Sequence, residues 1–382
     1  MKRDVLVKNI ANGGLNMPHL YSVILTSRIR WIKRYYFSEE GAWKRLWEYN
    51  MKKLCANPDL LLYCNFDINW FKNRADIDPF YKEIIWAWFL LQSNQPSKPI
   101  EIQYVHYNKE LKMSKSPFYC KNLLSAGILK VQDLYDKHGK VLDFQQLRQR
   151  GVVNFVKWYS MISVIAKRNP IVNEKDYTET ESLKFTYKGD HFAIENSSSK
   201  LIYCCIRDNI IGSNVVKPKC SVNIETTMDY SEIYMRPFNI FMDTYTQIFQ
   251  YKFLNNLLVN NFWLKKWGLK ESDQCNLCSN SIETQCHIFW DCCKVKPFWQ
   301  ELEGWFDSKN MNIKITKEVV FYGCNIVEDL VNVIIILAKR FIYRQGNKDL
   351  IICVSNYKDI EYEVAKSHDN VAGFIEKWRK LI

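Results

Sequence analysis

The chain has 382 residues, 47% of them hydrophobic and 15% aromatic, which supplies a large core and excludes a disordered chain. Its 53 basic and 41 acidic residues leave a net charge of +12, which favours polyanionic partners without demanding them. Glycine is scarce at 13 residues, which favours long helices over tight-turned sheets, so the expected fold class is mainly α: a multi-helix scaffold with a few short strands.

The 13 cysteines are odd in number and form no disulfide framework. The start, MKRDVLVKNIANGG, lacks an apolar signal-peptide core. The longest apolar runs, IIWAWFLL and VIIILA, fall well short of the ~20 residues that span a bilayer. The expectation is an intracellular chain, cytoplasmic or nuclear, with no membrane contact and with reduced thiols available to a metal.

In chain order, residues 1–18 read as a short extended piece followed by a Gly13-Gly14 turn. Leu25, Ile29, Ile32 and Tyr36 then repeat at helical spacing, with Arg28, Arg30, Lys33 and Arg34 largely on the other side. Those cations either track phosphates or form an ordinary solvated face. Trp43 and Trp47 suit a core. Asp78 and Pro79 start a buried helix, PFYKEIIWAWFLLQS, as N-cap and first helical residue. Ser116-Pro117 starts another, broken at Gly127. A turn at Gly139 precedes a helix capped near Asp143, and VVNFVKWYSMISVIAK forms a further helix. This helical region is assigned residues 1–172.

Residues 173–199 are polar and read as an inter-domain linker with a short hairpin. A domain at 200–315 follows. Tyr245, Ile248, Phe249, Phe253 and Leu257 predict one amphipathic helix over 240–260. Gly268 marks a turn before the cysteine-rich stretch. Residues 316–382 are assigned a strand, KEVVFYG, and then helices, the last containing Trp378.

The chemistry concentrates in Cys275-x2-Cys278-x8-His287-x4-Cys292. A thiolate pair two residues apart, followed by His and Cys at short spacing, suits a closed tetrahedral Zn²⁺ site. Four protein ligands leave no open position, so the expected zinc is structural. Cys286 and Cys293 sit beside the nominal ligands as alternatives. His287 and Cys292 are five apart, ~140° around a regular helix. The chain must therefore bend or leave the helix near Asp291.

Catalytic patterns are weak. The sequence has no Asp-Asp pair, no phosphate-binding glycine loop and no H-E-x-x-H. No catalytic residue is assigned, and an enzyme is not expected.

Together the motifs resemble the C-terminal region of the second-open-reading-frame polyprotein of LINE-type (non-LTR) retrotransposons, which includes a reverse-transcriptase-associated zinc-binding segment. Phe249, Gln250, Tyr251, Lys252 and Leu254 match its F-Q-[YF]-K-[IL]-L-type helix, and Phe253 departs from it. Lys266, Gly268, Leu269, Lys270, Glu271 and Ser272 match its K-x-G-[LI]-K-[DE]-S turn, followed by the Cys-Cys-His-Cys set. NGGLNMPHL, IRWIKRYY, GILKVQDLYDKHGKVLDF and ILAKRFIYR are similar to flanking stretches in the same order. The resemblance implies RNA binding, with element RNA as the partner, in a chain without the polymerase and endonuclease active sites.

The expected function is therefore a zinc-containing protein that binds RNA or another single-stranded nucleic acid. Arg28, Arg30, Lys33, Arg34, Lys265, Lys266, Lys339, Arg340 and Arg344 are the candidate phosphate contacts, with Trp263 and Trp267 beside them for base stacking. The alternatives are a helical scaffold for protein partners, drawn from the surplus of Trp and Tyr, and a relic without present function.

Overall fold

A computed structural model describes residues 3–378, apart from 39–40, 54, 56, 66–67, 94, 96–97, 112–117, 137, 153, 169, 171–182, 221–228, 325–328, 345–357, 360–361, 364 and 367–370. The described chain is mainly helical, with one two-stranded sheet. It divides into two compact units, one of residues 18–212 and one joining residues 1–17 to 213–382.

In the 18–212 unit, helix α1 (Leu20–Phe37) buries Leu25, Ile29 and Ile32, as its periodicity requires. Helix α2 (Ala42–Lys52) adds Trp47 to the core. Helix α3 (Pro79–Gln92) starts as expected: the Asp78 carboxylate accepts the Phe80 N–H at 2.8 Å, and Pro79 occupies a position whose N–H would have no partner. It packs against α1 and buries Ile84, Ile85, Trp88 and Leu91. Asp143 and Gln146 cap the Phe144–Gln149 helix reciprocally. Helix α4 (Phe155–Ala166) contributes Met161 and Ile165 to a second core with Leu123, Leu134 and Leu147. The Ser116-Pro117 start lies outside the described residues.

The hairpin expected in the polar stretch is present. Strands β1 (Lys184–Tyr187) and β2 (Asp190–Ala193) pair antiparallel, with Phe185 opposite Phe192. Lys188 and Gly189 both take positive φ in the tight turn between them. Phe185 is fully buried in the first core, and helix α5 (Ser199–Ile211) packs on α1 and α3. The compact unit thus runs on to Gly212, and the described part of 173–199 belongs inside it.

In the other unit, residues 3–17 are a helical turn, Arg3–Leu6, and a 3₁₀ turn, Ile10–Asn12, rather than extended chain. The Asn9 side chain accepts the Asn12 N–H, and Gly13 at φ 84° closes the turn. Helices α6 (Tyr230–Ile240), α7 (Thr244–Leu254), α8 (Lys296–Ser308) and α9 (Asp329–Tyr343) surround one core. That core takes residues from both sides of position 315.

Two expectations are corrected here. The helix predicted over 240–260 is the shorter α7. Asp243 caps its start, while Asn256 at φ 54° and the Leu257 N–H bonded to the Lys252 carbonyl end it in a left-handed cap. Its buried face is Thr246, Gln250, Tyr251, Phe253 and Leu254, so Tyr245 points outward. The strand predicted at KEVVFYG is a helix, Lys317–Tyr322, capped by the Thr316 hydroxyl. Two basic side chains satisfy its last carbonyls: half-buried Arg236 donates to Tyr322 and buried Lys339 to Val320.

Candidate metal centre and its aromatic flank

Cys275, Cys278, His287 and Cys292 bring one ligand atom each to within 4.8 Å of one another, close enough to share a metal ion. The first pair sits on a knuckle. Cys275 N–H donates to the Ser281 carbonyl, Ser279 N–H returns to the Cys275 carbonyl, and Ser279 takes φ 57° to reverse the chain. Gln274 and Ile282 pair across its base.

His287 begins a π-helical turn, His287–Asp291. The Cys292 N–H donates to the His287 carbonyl at 2.9 Å, an i→i+5 bond, and Cys292 itself has left the helix at ψ 128°. The widened turn is the predicted break near Asp291. It lets ligands five apart share one site. His287 Nε2 lies 3.3 Å from Cys278 Sγ.

The thiols differ in their electrostatics. The Asn280 backbone N–H, with His287 and the neighbouring cysteines, holds Cys278 down to about 6. Burial pushes Cys275 up and Cys292 up to about 12. A coordinated cation reverses that burial penalty, because metal-bound thiols ionise. The two alternative cysteines are elsewhere. Cys286 hydrogen-bonds with Lys317 and Asp291, and Cys293 is exposed.

A buried carboxylate ties the knuckle to the lead-in. Glu283 is 6% exposed; its Oε1 accepts the Asn261 N–H at 2.9 Å and its Oε2 the Asn276 N–H at 2.8 Å. Lys270 bridges the side chains of Asn261 and Asn276 at 2.9 and 3.0 Å. Reading the sequence for metal ligands and basic patches missed Glu283, although its position in the eight-residue loop between ligands was the available signal. Below the module, Phe289 is fully buried edge-to-face on Phe253, and Trp299 donates to its carbonyl at 2.8 Å.

The short helix Asn261–Lys266 carries the flank. Trp263 and Trp267 stack at 6.0 Å, Trp267 is 55% exposed, and the Lys266 ammonium lies 5.1 Å from the Trp263 ring centre. Lys265 pairs with Asp273 at 3.1 Å. Arg344 is exposed.

Two predicted phosphate contacts are redirected. Lys339 is 1% exposed, sits 4.3 Å from the Phe253 ring centre and caps Val320, so it cannot reach a polyanion. Its place on a face of α9 that is buried throughout explains the miss. Arg340 is largely covered, bonding Thr246 and lying 3.9 Å from the Asp243 carboxylate. Arg28, Arg30, Lys33 and Arg34 belong to the 18–212 unit. Arg28 pairs with Glu83 at 2.8 Å, Arg30 and Lys33 bond Ser199 and Ser197, and exposed Arg34 stacks on Trp31 and Trp43. Scans against known family models and curated proteins found no match to this chain.

Proposed function

We propose that this chain binds RNA or another single-stranded nucleic acid, and that its four-ligand cluster holds a structural zinc ion. The observation that carries the reading is the stacked Trp263–Trp267 pair, with Trp267 exposed and Lys266 over the Trp263 ring, on a short helix tied to the Cys275–Cys278 knuckle through Glu283. Unpaired bases stack on such platforms while a nearby cation meets the phosphate.

The donor set supports zinc. Three sulfurs and one imidazole nitrogen match its ligand preferences, and a tetrahedron with bonds of about 2.0–2.3 Å has edges of roughly 3.3–3.8 Å. The 3.3 Å approach of His287 to Cys278 already has that size. The zinc would fix the knuckle and, through Glu283 and Lys270, the start of the tryptophan-bearing helix. Four protein donors leave no place for substrate, so catalysis is no part of the reading. The resemblance to the C-terminal region of LINE-type polyproteins points the same way, with element RNA as the ligand.

Metal analysis combined with filter binding tests both parts. The purified chain should carry one zinc, and Cys275→Ser with Cys278→Ser should remove it and weaken RNA binding. Zinc retained by the double variant would refute the ligand set. Absence of RNA and single-stranded DNA binding at low salt would refute the partner.

A further inference from the structure

Beside α7 lies a cleft of about 460 Å³ that neither the metal centre nor the tryptophan flank uses. Its apolar lining comes from Tyr245, Ile248 and Phe249 of α7, Leu257 and Val259 just after it, and Tyr343 of α9. It exists because α7 stops at Leu254: the left-handed cap at Asn256 turns Leu257 and Val259 outward, leaving them 40% and 43% exposed. Tyr245 is 83% exposed and Met242 beside it 62%. Contiguous apolar exposure of this kind marks an interaction surface.

We propose that this cleft docks an amphipathic helix of a partner protein, its apolar side chains inserted and acidic residues flanking them. The lining offers few partners for the polar edges of a nucleobase. The Tyr343 hydroxyl is already engaged, donating to the Val259 carbonyl at 2.8 Å. A row of apolar side chains at helical spacing meets no such cost. The concave shape receives inserted side chains rather than a flat bilayer. Charge complementarity selects the flanks: Lys252 is the only charged residue in the lining among the described residues, and Arg344 follows Tyr343. Both are exposed, and neither forms an ion pair among the described residues.

The test is to pan a phage-displayed library of helix-forming peptides on the full chain. Enriched peptides should carry apolar residues at i, i+3 or i+4 and i+7, with net negative charge. Tyr245→Ala and Lys252→Glu, both at exposed positions, should each weaken them about tenfold or more without changing the far-ultraviolet spectrum or the melting temperature. No enrichment, or peptides that bind both variants like the wild type, would overturn the proposal. It also falls if oligo(U) displaces the peptides and loses its own binding in Tyr245→Ala, because the cleft would then be a nucleic-acid seat.

Discussion

Cys292 donates its amide to the carbonyl of His287, five residues back, and so closes the turn that presents both side chains to one point. That bond lies between two of the four clustered side chains, so a metal held there and the turn would stabilise one another. Chelation should therefore speed hydrogen exchange at the Cys292 amide by orders of magnitude while amides in α9 change far less. Melting should move down with it. The loss should be smaller than the ~10–16 kcal/mol by which metal folds isolated zinc-finger peptides, because Phe289 and Trp299 anchor the turn in the core of a larger helical unit. Unchanged protection of Cys292 after complete metal removal would show that the turn stands without its ion.

Glu283 accepts two backbone N–H groups from segments 15 residues apart in sequence, Asn261 and Asn276. Its replacement by Ala strands the buried Asn261 donor, at about 1–3 kcal/mol, while the part-buried Asn276 N–H can turn to water at less cost. Glu283→Ala should lower the melting temperature and loosen zinc retention in a chelator competition, although Glu283 touches no ligand atom in the cluster. Glu283→Gln keeps one acceptor and should fall between Ala and wild type. Equal zinc retention in all three proteins would limit the carboxylate to a local role.

Much of this site was legible because short-range chemistry determines it. The ligand spacing, the Asp78-Pro79 start and the Asp143 cap each depend on residues within a few positions, and each is found as read. Lys317–Tyr322 was not legible. Its β-branched residues suit a strand, but its termini are fixed by Thr316 and by Arg236 and Lys339, which lie distant in sequence. Lys339 failed for the same reason. A lysine in a helical pattern reads as a solvated charge, and only the tertiary position of α9 shows that every nearby face is covered.

Gly323 occupies φ 87° at the end of that short helix, a conformation that other residues adopt at a cost. A Cβ there would also overlap Arg236 Nη1 and the Asn332 side-chain oxygen. The same oxygen accepts the Cys324 N–H at 3.0 Å, and Arg236 caps Tyr322, so neither yields freely. Gly323→Ala should destabilise this unit by about 2 kcal/mol or more, read by chemical denaturation. A loss below about 0.5 kcal/mol, the usual size for an unconstrained surface change, would contradict the cramped geometry.

Burial holds Lys339 down to about 7 from an ordinary value of 10.5, with Arg236 opposing its charge and Cys220 favouring it. Between those values the unfolded chain binds a proton that the folded chain lacks, so Lys339 makes stability rise with pH. The slope approaches about 1.4 kcal/mol per pH unit. Below pH 7 both states are protonated and the full burial penalty is present. Lys339→Met should remove this rise and stabilise the protein most at acidic pH, offset in part by the unpaired Val320 carbonyl. Parallel stability curves for the two proteins from pH 6 to 10 would show that Lys339 does not titrate in that window.

The tryptophan flank gives the sharpest reading of nucleic-acid binding because its members can be removed without touching the core. Trp267 is 55% exposed, so Trp267→Ala should leave the melting temperature nearly unchanged. If a base stacks on it, affinity for single-stranded RNA should fall by about 1–3 kcal/mol, roughly five- to 150-fold. Lys266→Ala should act differently. Its ammonium lies over Trp263, and losing one phosphate contact should weaken binding while lowering the salt slope by about 0.7. Quenching of tryptophan fluorescence by oligo(U), titrated across a salt series for wild type and both variants, separates these effects. Identical affinity and slope in all three proteins would remove this face from the binding surface and leave the metal cluster as a purely structural clip.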